Sequence, residues 1–272
     1  MDLDIIKAKL AASNAPKGKK YEKVDYTKIF WSPKKGKSII RVVPSLLDKS
    51  NPFLEVMFHY GFTKFPLLSL QNWGEKDPIA DFAKGLFKSS DKEDWELGKK
   101  IQPKQRIFIP VIVRGEEEKG VRLWQFGKGV YQQLLGIAAD EDYGDFTDVA
   151  EGRDFTVEGV EEQAFGKTVI TPKVLVKPKQ TPLSTDPEEI KLWLENQPNV
   201  LTLNKKHTFE EMKAFLVNYL TPSAEDETVE IETVDTESNT DDDEDKDVPT
   251  TPKPKAKGKA SNADKFNDLF DK

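Results

Sequence analysis

Residues 104–131, KQRIFIPVIVRGEEEKGVRLWQFGKGVY, restrict the fold more than any other stretch of this chain. Both halves are rich in β-branched and aromatic residues and read as strands, joined by the charged, glycine-flanked turn Arg114–Gly120. Side chains of a strand alternate between faces, so the first arm sets Lys104, Arg106 and Phe108 against Ile107, Ile109 and Val111. The second sets Arg122, Trp124 and Phe126 against Val121 and Leu123. Two adjacent strands, each interleaving cations with aromatics on one face, predict a platform. Bases would stack on its rings while guanidinium and ammonium groups hold phosphates. The pair then runs through Gly127-Lys128-Gly129 into a helix with Val130, Leu134, Leu135 and Ile137 as its apolar stripe. The glycines match no phosphate-loop spacing and read as a strand-to-helix turn, with Lys128 placed to touch a backbone phosphate.

Around that pair the pattern alternates between the two periods. Gly36–Pro44 and Phe53–Phe58 have strand composition, and Lys37, Ile39, Arg41 and Val43 share one face of the first. Arg153–Val160 and Lys167–Val176 read as two more strands. A helix starts at Pro78 behind an Asp77 cap, with Ile79, Phe82, Ala83 and Leu86 as its stripe. A second is predicted over Asp91–Leu97, ended by Gly98. A third follows Asp186-Pro187 through Glu195, and Trp193 falls in its stripe as a core residue. The capping box Thr208–Glu211 opens a fourth that runs to Leu220. His59, between aromatics at a strand end, reads as a packing or hydrogen-bonding residue.

Charge divides the chain. The formal net charge is −7, yet residues 223–249 hold 13 Asp/Glu against one Lys (−12) and residues 250–272 hold six Lys against three Asp (+3), leaving +2 for residues 1–222. Within that body the first 41 residues carry eleven Lys/Arg against four Asp/Glu. A basic arm and an acidic tail flank a nearly neutral body, a polarity that suits binding and release of a polyanion. Residues 3–12 pattern as a short amphipathic helix, and the arm reads either as a frayed terminus or as a segment docking on a neighbouring copy or on phosphates. Residues 250–260 are a Pro/Lys/Gly linker. At the end, Phe266, Leu269 and Phe270 at i, i+3, i+4 predict a short helix that folds onto partner proteins. The expected division is an arm (1–20), a folded core (21–222), a disordered acidic region with linker (223–260) and a partner-binding tip (261–272).

Catalytic signatures are missing from the sequence. There is no GxSxG, HExxH or Walker loop, no cysteine for a nucleophile, disulfide or thiolate site, and only His59 and His207 as imidazoles. A binding protein is expected rather than an enzyme, without metal or cofactor. With no apolar run of membrane-spanning length and no secretory leader pattern, the expectation is an intracellular protein with no membrane partner.

At these residues the chain resembles the T-even-type bacteriophage single-stranded DNA-binding family, the helix-destabilising proteins. Gly36–Pro44 (GKSIIRVVP) is similar to that family's first core-strand motif, and Val121–Lys128 (VRLWQFGK) to its V-x-x-aromatic-x-F-G-K motif. The similarity extends loosely from about residue 3 to 220, and the acidic tail with a hydrophobic tip matches in kind. The resemblance implies an α+β protein with an OB-fold-like β-barrel core, added helices, a flexible N-terminal arm and a disordered acidic C-terminal tail. It implies cooperative, sequence-tolerant binding of single-stranded DNA during phage replication, recombination and repair, in the cytoplasm of the infected host cell. The arm, with Lys7, Lys9, Lys17, Lys19 and Lys20, would then serve self-association along DNA, and the tail would contact replication and recombination proteins. Arg41, Trp124, Phe126 and Lys128 fall on motif positions, and Arg106 and Phe108 lie in the strand corresponding to the cleft-lining one. Lys104 and Arg122 complete the expected DNA-binding set.

One departure stands out. Better-known members carry a His/Cys zinc subdomain with a Cys-Pro-x-Cys element, where this chain has Asp77-Pro78-Ile79-Ala80. Zinc is therefore not carried over, and apolar packing around Phe82, Leu86 and Trp73 is expected in its place. A rival reading is a non-enzymatic interaction scaffold whose β-platform binds an acidic or peptide partner.

Overall fold

The computed structural model describes residues 25–164 and 167–221. The chain runs α1 (Tyr26–Ile29), β1 (Phe30–Trp31), β2 (Gly36–Val42), β3 (Leu54–His59), β4 (Leu67–Leu68), a 3-10 turn (Leu70–Trp73), α2 (Pro78–Leu86) and α3 (Lys92–Ile101). It continues through β5 (Lys104–Val113), β6 (Arg122–Phe126), α4 (Lys128–Ala138), β7 (Arg153–Ala164), β8 (Lys167–Gln180), α5 (Pro187–Glu195), α6 (Val200–Leu203) and α7 (Phe209–Leu220). The segments predicted for the N-terminal helix and for residues 223–272 lie outside the described residues.

All eight strands join one sheet, and β5 is its hub. Along one edge β5 pairs antiparallel with β6, placing Ile107 opposite Phe126 and Ile109 opposite Trp124. The other edge is divided. β3 takes the first half, with Phe58 opposite Lys104 and Leu54 opposite Phe108. β2 takes the second, with Val42 opposite Val111 and Ile40 opposite Val113. From β2 the sheet continues through β7 to β8, while β1 lies parallel to β6 at the far side. Among the described residues β1 and β8 do not pair, so the sheet is open. The class is α+β, as the sequence predicts.

Each face of the sheet carries its own core. Ile107, Ile109, Val111 and Val113 of β5 meet Trp124, Phe126, Ile40, Val42, Phe155 and Val157 on one face, covered by Val130 and Leu134 of α4. On the other face, Phe108 packs with Val56, Phe58, Leu68, Leu123 and Val200. Further along that face Ile112 meets Val43, Val121, Leu183 and Trp193 of α5. A fourth cluster, beyond β4, ties α2, α3 and α7 through Leu70, Ile79, Phe82, Leu86, Ile101, Met212 and Leu216. No helix among the described residues is long and apolar enough to cross a membrane.

Two expectations are corrected here. Gly98 does not end α3, which runs on to Ile101. A Cβ at Gly98 would lie 2.9 Å from the Phe87 ring, so the glycine allows close approach of α3 to the end of α2 and is not a stop signal. In the region where the resemblance places zinc, Phe82 and Leu86 are core residues as predicted, whereas Trp73 packs with the Phe58–Phe108 group instead. A polar hub sits beside the apolar packing. Asp77 Oδ1 caps α2 through the Ile79 and Ala80 N–H groups at 3.0 Å each. Its Oδ2 accepts from Ser69 Oγ (2.6 Å), Leu70 N (2.9 Å) and His59 Nε2 (2.9 Å). The other His59 nitrogen, Nδ1, donates to the Ile101 carbonyl at 3.2 Å. One buried carboxylate and one buried ring thus join β3, the 3-10 turn, α2 and α3. The donor set does not fit zinc: the two candidate ligands are committed to each other, and the neighbouring Pro78, Ile79 and Ala80 offer no side-chain donor.

Burial raises the Asp77 pKa, but the hydrogen bonds from His59, Ser69 and Ala80 and the His59 charge outweigh it and bring the group to about 2, against an ordinary 3.8. Because the folded value is depressed, this stabilisation is complete above pH 4 and is lost as pH falls toward 2. Asp77→Ala removes the cap and strands several buried donors, so urea unfolding at pH 7 should show a loss of about 2–4 kcal/mol. Between pH 4 and pH 2 the wild type should lose stability more steeply than Asp77→Asn, which has no charge to titrate.

Candidate nucleic-acid interface

The register between β5 and β6 decides where the predicted platform goes. Residues directly opposite in an antiparallel pair share a face. Trp124 and Phe126 stand opposite Ile109 and Ile107, and Arg122 opposite Val111, so all three lie on the face away from Arg106 and Phe108. The two cation–aromatic sides occupy opposite faces of the sheet, and the single platform expected from the sequence does not form. Alternation within each strand was read correctly; the register across the pair was not contained in either strand.

Burial then separates the candidates further. Trp124 is 1% exposed and Phe126 6%. The Trp124 ring meets Trp31 edge-on at 5.4 Å and Phe126 at 4.9 Å. Phe108, at 2% exposed, is equally enclosed on the other side. Arg41 is fully buried. Its guanidinium donates to the Asp148 carbonyl at 2.5 Å and to Thr181 Oγ1 at 3.4 Å, and lies 3.9 Å from Asp154. Burial pushes the Arg41 pKa down to about 10, partly offset by Asp154, so the group remains charged at neutral pH. A Cβ at Gly152 would collide with this guanidinium and with the Asp148 carbonyl, and only glycine lets the 145–152 turn close around Arg41. Arg122 is 5% exposed and donates to Glu116 at 2.6 Å, locking the turn between β5 and β6. These five side chains hold the core. Lys104 and Lys128 are exposed and Arg106 is half-buried. Lys7, Lys9, Lys17, Lys19, Lys20, Phe266, Leu269 and Phe270 lie outside the described residues.

A different aromatic arrangement emerges on the Arg106–Phe108 face. Ring centroids run Tyr26–Phe30 (6.3 Å), Phe30–Phe108 (6.1 Å), Phe108–Phe58 (6.3 Å) and Phe58–Tyr60 (6.2 Å). The middle of this file is sealed and both ends open: Tyr26 is 58% exposed, while Phe30 and Tyr60 are half-buried. The Arg106 guanidinium lies 5.4 Å from the Tyr60 ring centre, and its Nε donates to the Tyr60 hydroxyl at 3.2 Å. Trp73 packs into the same cluster with Lys206 Nζ 4.6 Å from its ring, and that ammonium also pairs with Glu75 at 2.5 Å. Lys104 pairs with Phe58 on the same stretch of sheet. Rings with open faces beside cations are the elements that base stacking and phosphate neutralisation need.

A sequence profile described as gp32 DNA binding protein like matches residues 34–213, which is 180 of the 272 residues. The chain belongs to the gp32-like DNA-binding family. No curated protein matches the sequence. At the level of that family the protein is a binder of single-stranded DNA, generally without enzymatic activity. The matched span of this gp32-like protein includes the whole β5–β6 pair, Tyr60, Trp73 and Lys206, and leaves Tyr26 and Phe30 just outside.

Tyr60, Trp73, Tyr26, Phe30 and Lys206 were not among the residues predicted to touch DNA. Tyr60 was within reach, because it continues the Leu54–Val56–Phe58 alternation one step past β3. Tyr26 and Phe30 are four residues apart, but only the pairing of Phe30 with Leu123 brings them beside Phe108. For the gp32-like protein this assignment separates two kinds of variant. Trp124→Ala should lower unfolding free energy by about 3–5 kcal/mol in urea melts, as expected for a fully buried aromatic. Arg41→Ala should destabilise by roughly 3 kcal/mol through loss of a buried charge partner. Arg106→Ala should leave the melt within about 1 kcal/mol of wild type.

Proposed function

We propose that this protein binds single-stranded DNA stoichiometrically and with little sequence preference, and that the binding face is the one bearing Arg106 rather than the Trp124 face. The observation that carries this reading is the aromatic file with open ends at Tyr26–Phe30 and Tyr60, flanked by Arg106, Lys104 and the Lys206–Trp73 pair. Bases stack on the open rings, and the cations release counterions from the phosphates. The sealed middle of the file keeps the outer rings in place, so little ordering is required on binding.

In this reading the core is an OB-like barrel left open at one seam. Side chains of β2, β5, β6, β7 and β8 converge with Trp31 on a single buried cluster, the arrangement of a curved sheet wrapped around its own interior. The charge division of the sequence supports the remaining parts. Residues 1–20 act in cooperative self-association along DNA. Residues 223–260 supply an acidic region and linker, and the tip bearing Phe266, Leu269 and Phe270 recruits replication and recombination proteins. The setting is phage DNA replication, recombination and repair in the host cytoplasm.

A fluorescence titration with poly(dT) tests the core of this proposal. Trp31, Trp124 and Trp193 are enclosed, Trp73 is half-buried and Trp95 is exposed on α3, so in a Trp95→Phe background quenching should arise largely from Trp73 and fall sharply when Trp73→Phe is added. Added salt should reverse it. Tyr60→Ala should weaken binding by about 1–3 kcal/mol, the worth of one stacked base. Equal affinity for duplex DNA, or no binding by the wild type, would overturn the proposal and favour an interaction scaffold.

A further inference from the structure

The sheet ends at β8, and its outer face has a regular pattern that the aromatic file does not use. Along β8, Pro172, Val174 and Val176 turn one way; Val174 is buried in the cluster beneath α4, and Val176 packs against it, while beyond Val176 the pairing with β7 slips and Pro178 is exposed. Lys173 and Leu175 therefore turn the other way, and Lys177 and Lys179 follow in the irregular end of the strand. Leu175 is 60% exposed, Lys173 and Lys179 are exposed, and Lys177 is half-buried. No ion pair engages Lys173, Lys177 or Lys179 among the described residues. The neighbouring strand carries an acid, Glu158, opposite Lys173, but Lys37 on β2 lies 4.0 Å from that carboxylate, so the row Lys173–Glu158–Lys37 is net positive. A similar row places Leu175 beside Thr156 and Ile39, giving a small apolar floor between the cations.

We propose that this outer face of β8 is a second nucleic-acid contact, one that holds the sugar–phosphate backbone of single-stranded DNA without stacking its bases. The proposal rests on the DNA-binding reading above. By the pairing register the Lys173–Leu175 face of β8 is on the same side of the sheet as the Arg106 file, three strands or roughly 15 Å across from β5. Leu175 is level with Arg114, eight residues or roughly 26 Å along the strand from Arg106. Three lysines thus fall within seven residues, a reach of up to roughly 20 Å that the slip after Val176 shortens. A polymer with evenly repeated negative charge suits such a row. An added β-strand does not. Pro172 and Pro178 cannot donate to a new ladder, and edge lysines oppose strand pairing. The face has no open aromatic ring, so its contribution is electrostatic and independent of base identity.

The test is a poly(dT) titration of the full chain across salt, comparing wild type with the triple variant Lys173→Gln, Lys177→Gln, Lys179→Gln. Each phosphate contact to a single strand contributes about 0.7 to the slope of log K against log salt, so the slope should fall by about 2. Quenching at saturation should be unchanged, because the stacking rings are untouched. The matching triple Lys→Arg variant should keep the wild-type slope, and the single variants Lys173→Gln and Lys179→Gln should each lower it by about 0.7. An unaltered slope in the triple Gln variant overturns the second contact while leaving the first intact. Failure of wild type to bind poly(dT) at all would instead defeat the underlying reading.

Discussion

The antiparallel register of β5 with β6 is the constraint on which the rest of the molecule depends. Setting Ile109 opposite Trp124 commits the largest ring of the central pair to the interior and leaves Phe108 on the other side. A slip of one residue would exchange the two faces of β6, taking Trp124 out of the cluster beneath α4 and turning Gln125 into it. Trp31 reinforces the choice, since it pairs in register with Trp124 and meets it edge-on. The Arg122–Glu116 bond fixes the turn that sets this register. A sheet organised in this way has two occupied faces, and only the margins of each remain for binding.

Two buried charged groups hold what apolar packing alone leaves loose. Arg41 gathers the carbonyl of Asp148, Thr181 and Asp154, drawing the segment after α4 and the end of β8 onto β2. Asp77 gathers four N–H or O–H donors and the His59 ring, and so orients α2 and α3 against β3 and the 3-10 turn. Each group is costly to bury, and each is retained in a place where several segments converge without a continuous ladder of backbone bonds. The second occupies the region in which the resemblance implies a metal in related proteins. Hydrogen bonds to one carboxylate here do the geometric work that a tetrahedral ion performs by ligation, and the surrounding Phe82 and Leu86 exclude water from them.

Element types were largely legible in the sequence because they rest on local periodicity: the strands around Ile40, Val56, Ile109, Phe126 and Val157, and the helices capped by Asp77, Asp186 and Thr208, all form. Gly98 misled because a glycine that permits close packing and one that ends a helix look alike in one dimension. The site was less legible than the fold. A cation alternating with aromatics marks a face but does not say whether that face is inside. Arg41 and Arg122 read as surface cations, and their burial depends on partners more than a hundred residues away for Arg41 and across a turn for Arg122. The aromatic file joins Tyr26, Phe30, Phe58, Tyr60 and Phe108 from three separate stretches, and no single stretch announces it.

The charge layout bears on how such a face would work. The body carries about +2 while residues 223–249 carry −12, so net charge offers a polyanion no attraction, and beyond the Debye length, about 10 Å at 0.1 M salt, charges are largely screened in any case. Capture therefore cannot rely on net charge, and attraction must come from cations placed within a few ångströms of the phosphates together with rings that contact the bases. Arg106 beside Tyr60 meets that requirement by setting a fixed charge against an aromatic surface, and Lys206 beside Trp73 meets it on exchanging its Glu75 partner for a phosphate. A duplex, with its bases inside, would gain the charge contacts without the stacking and would still meet the repulsion of the tail. On the proposed reading, selectivity for single strands would follow from the balance of these two terms, with no need for any residue to read sequence.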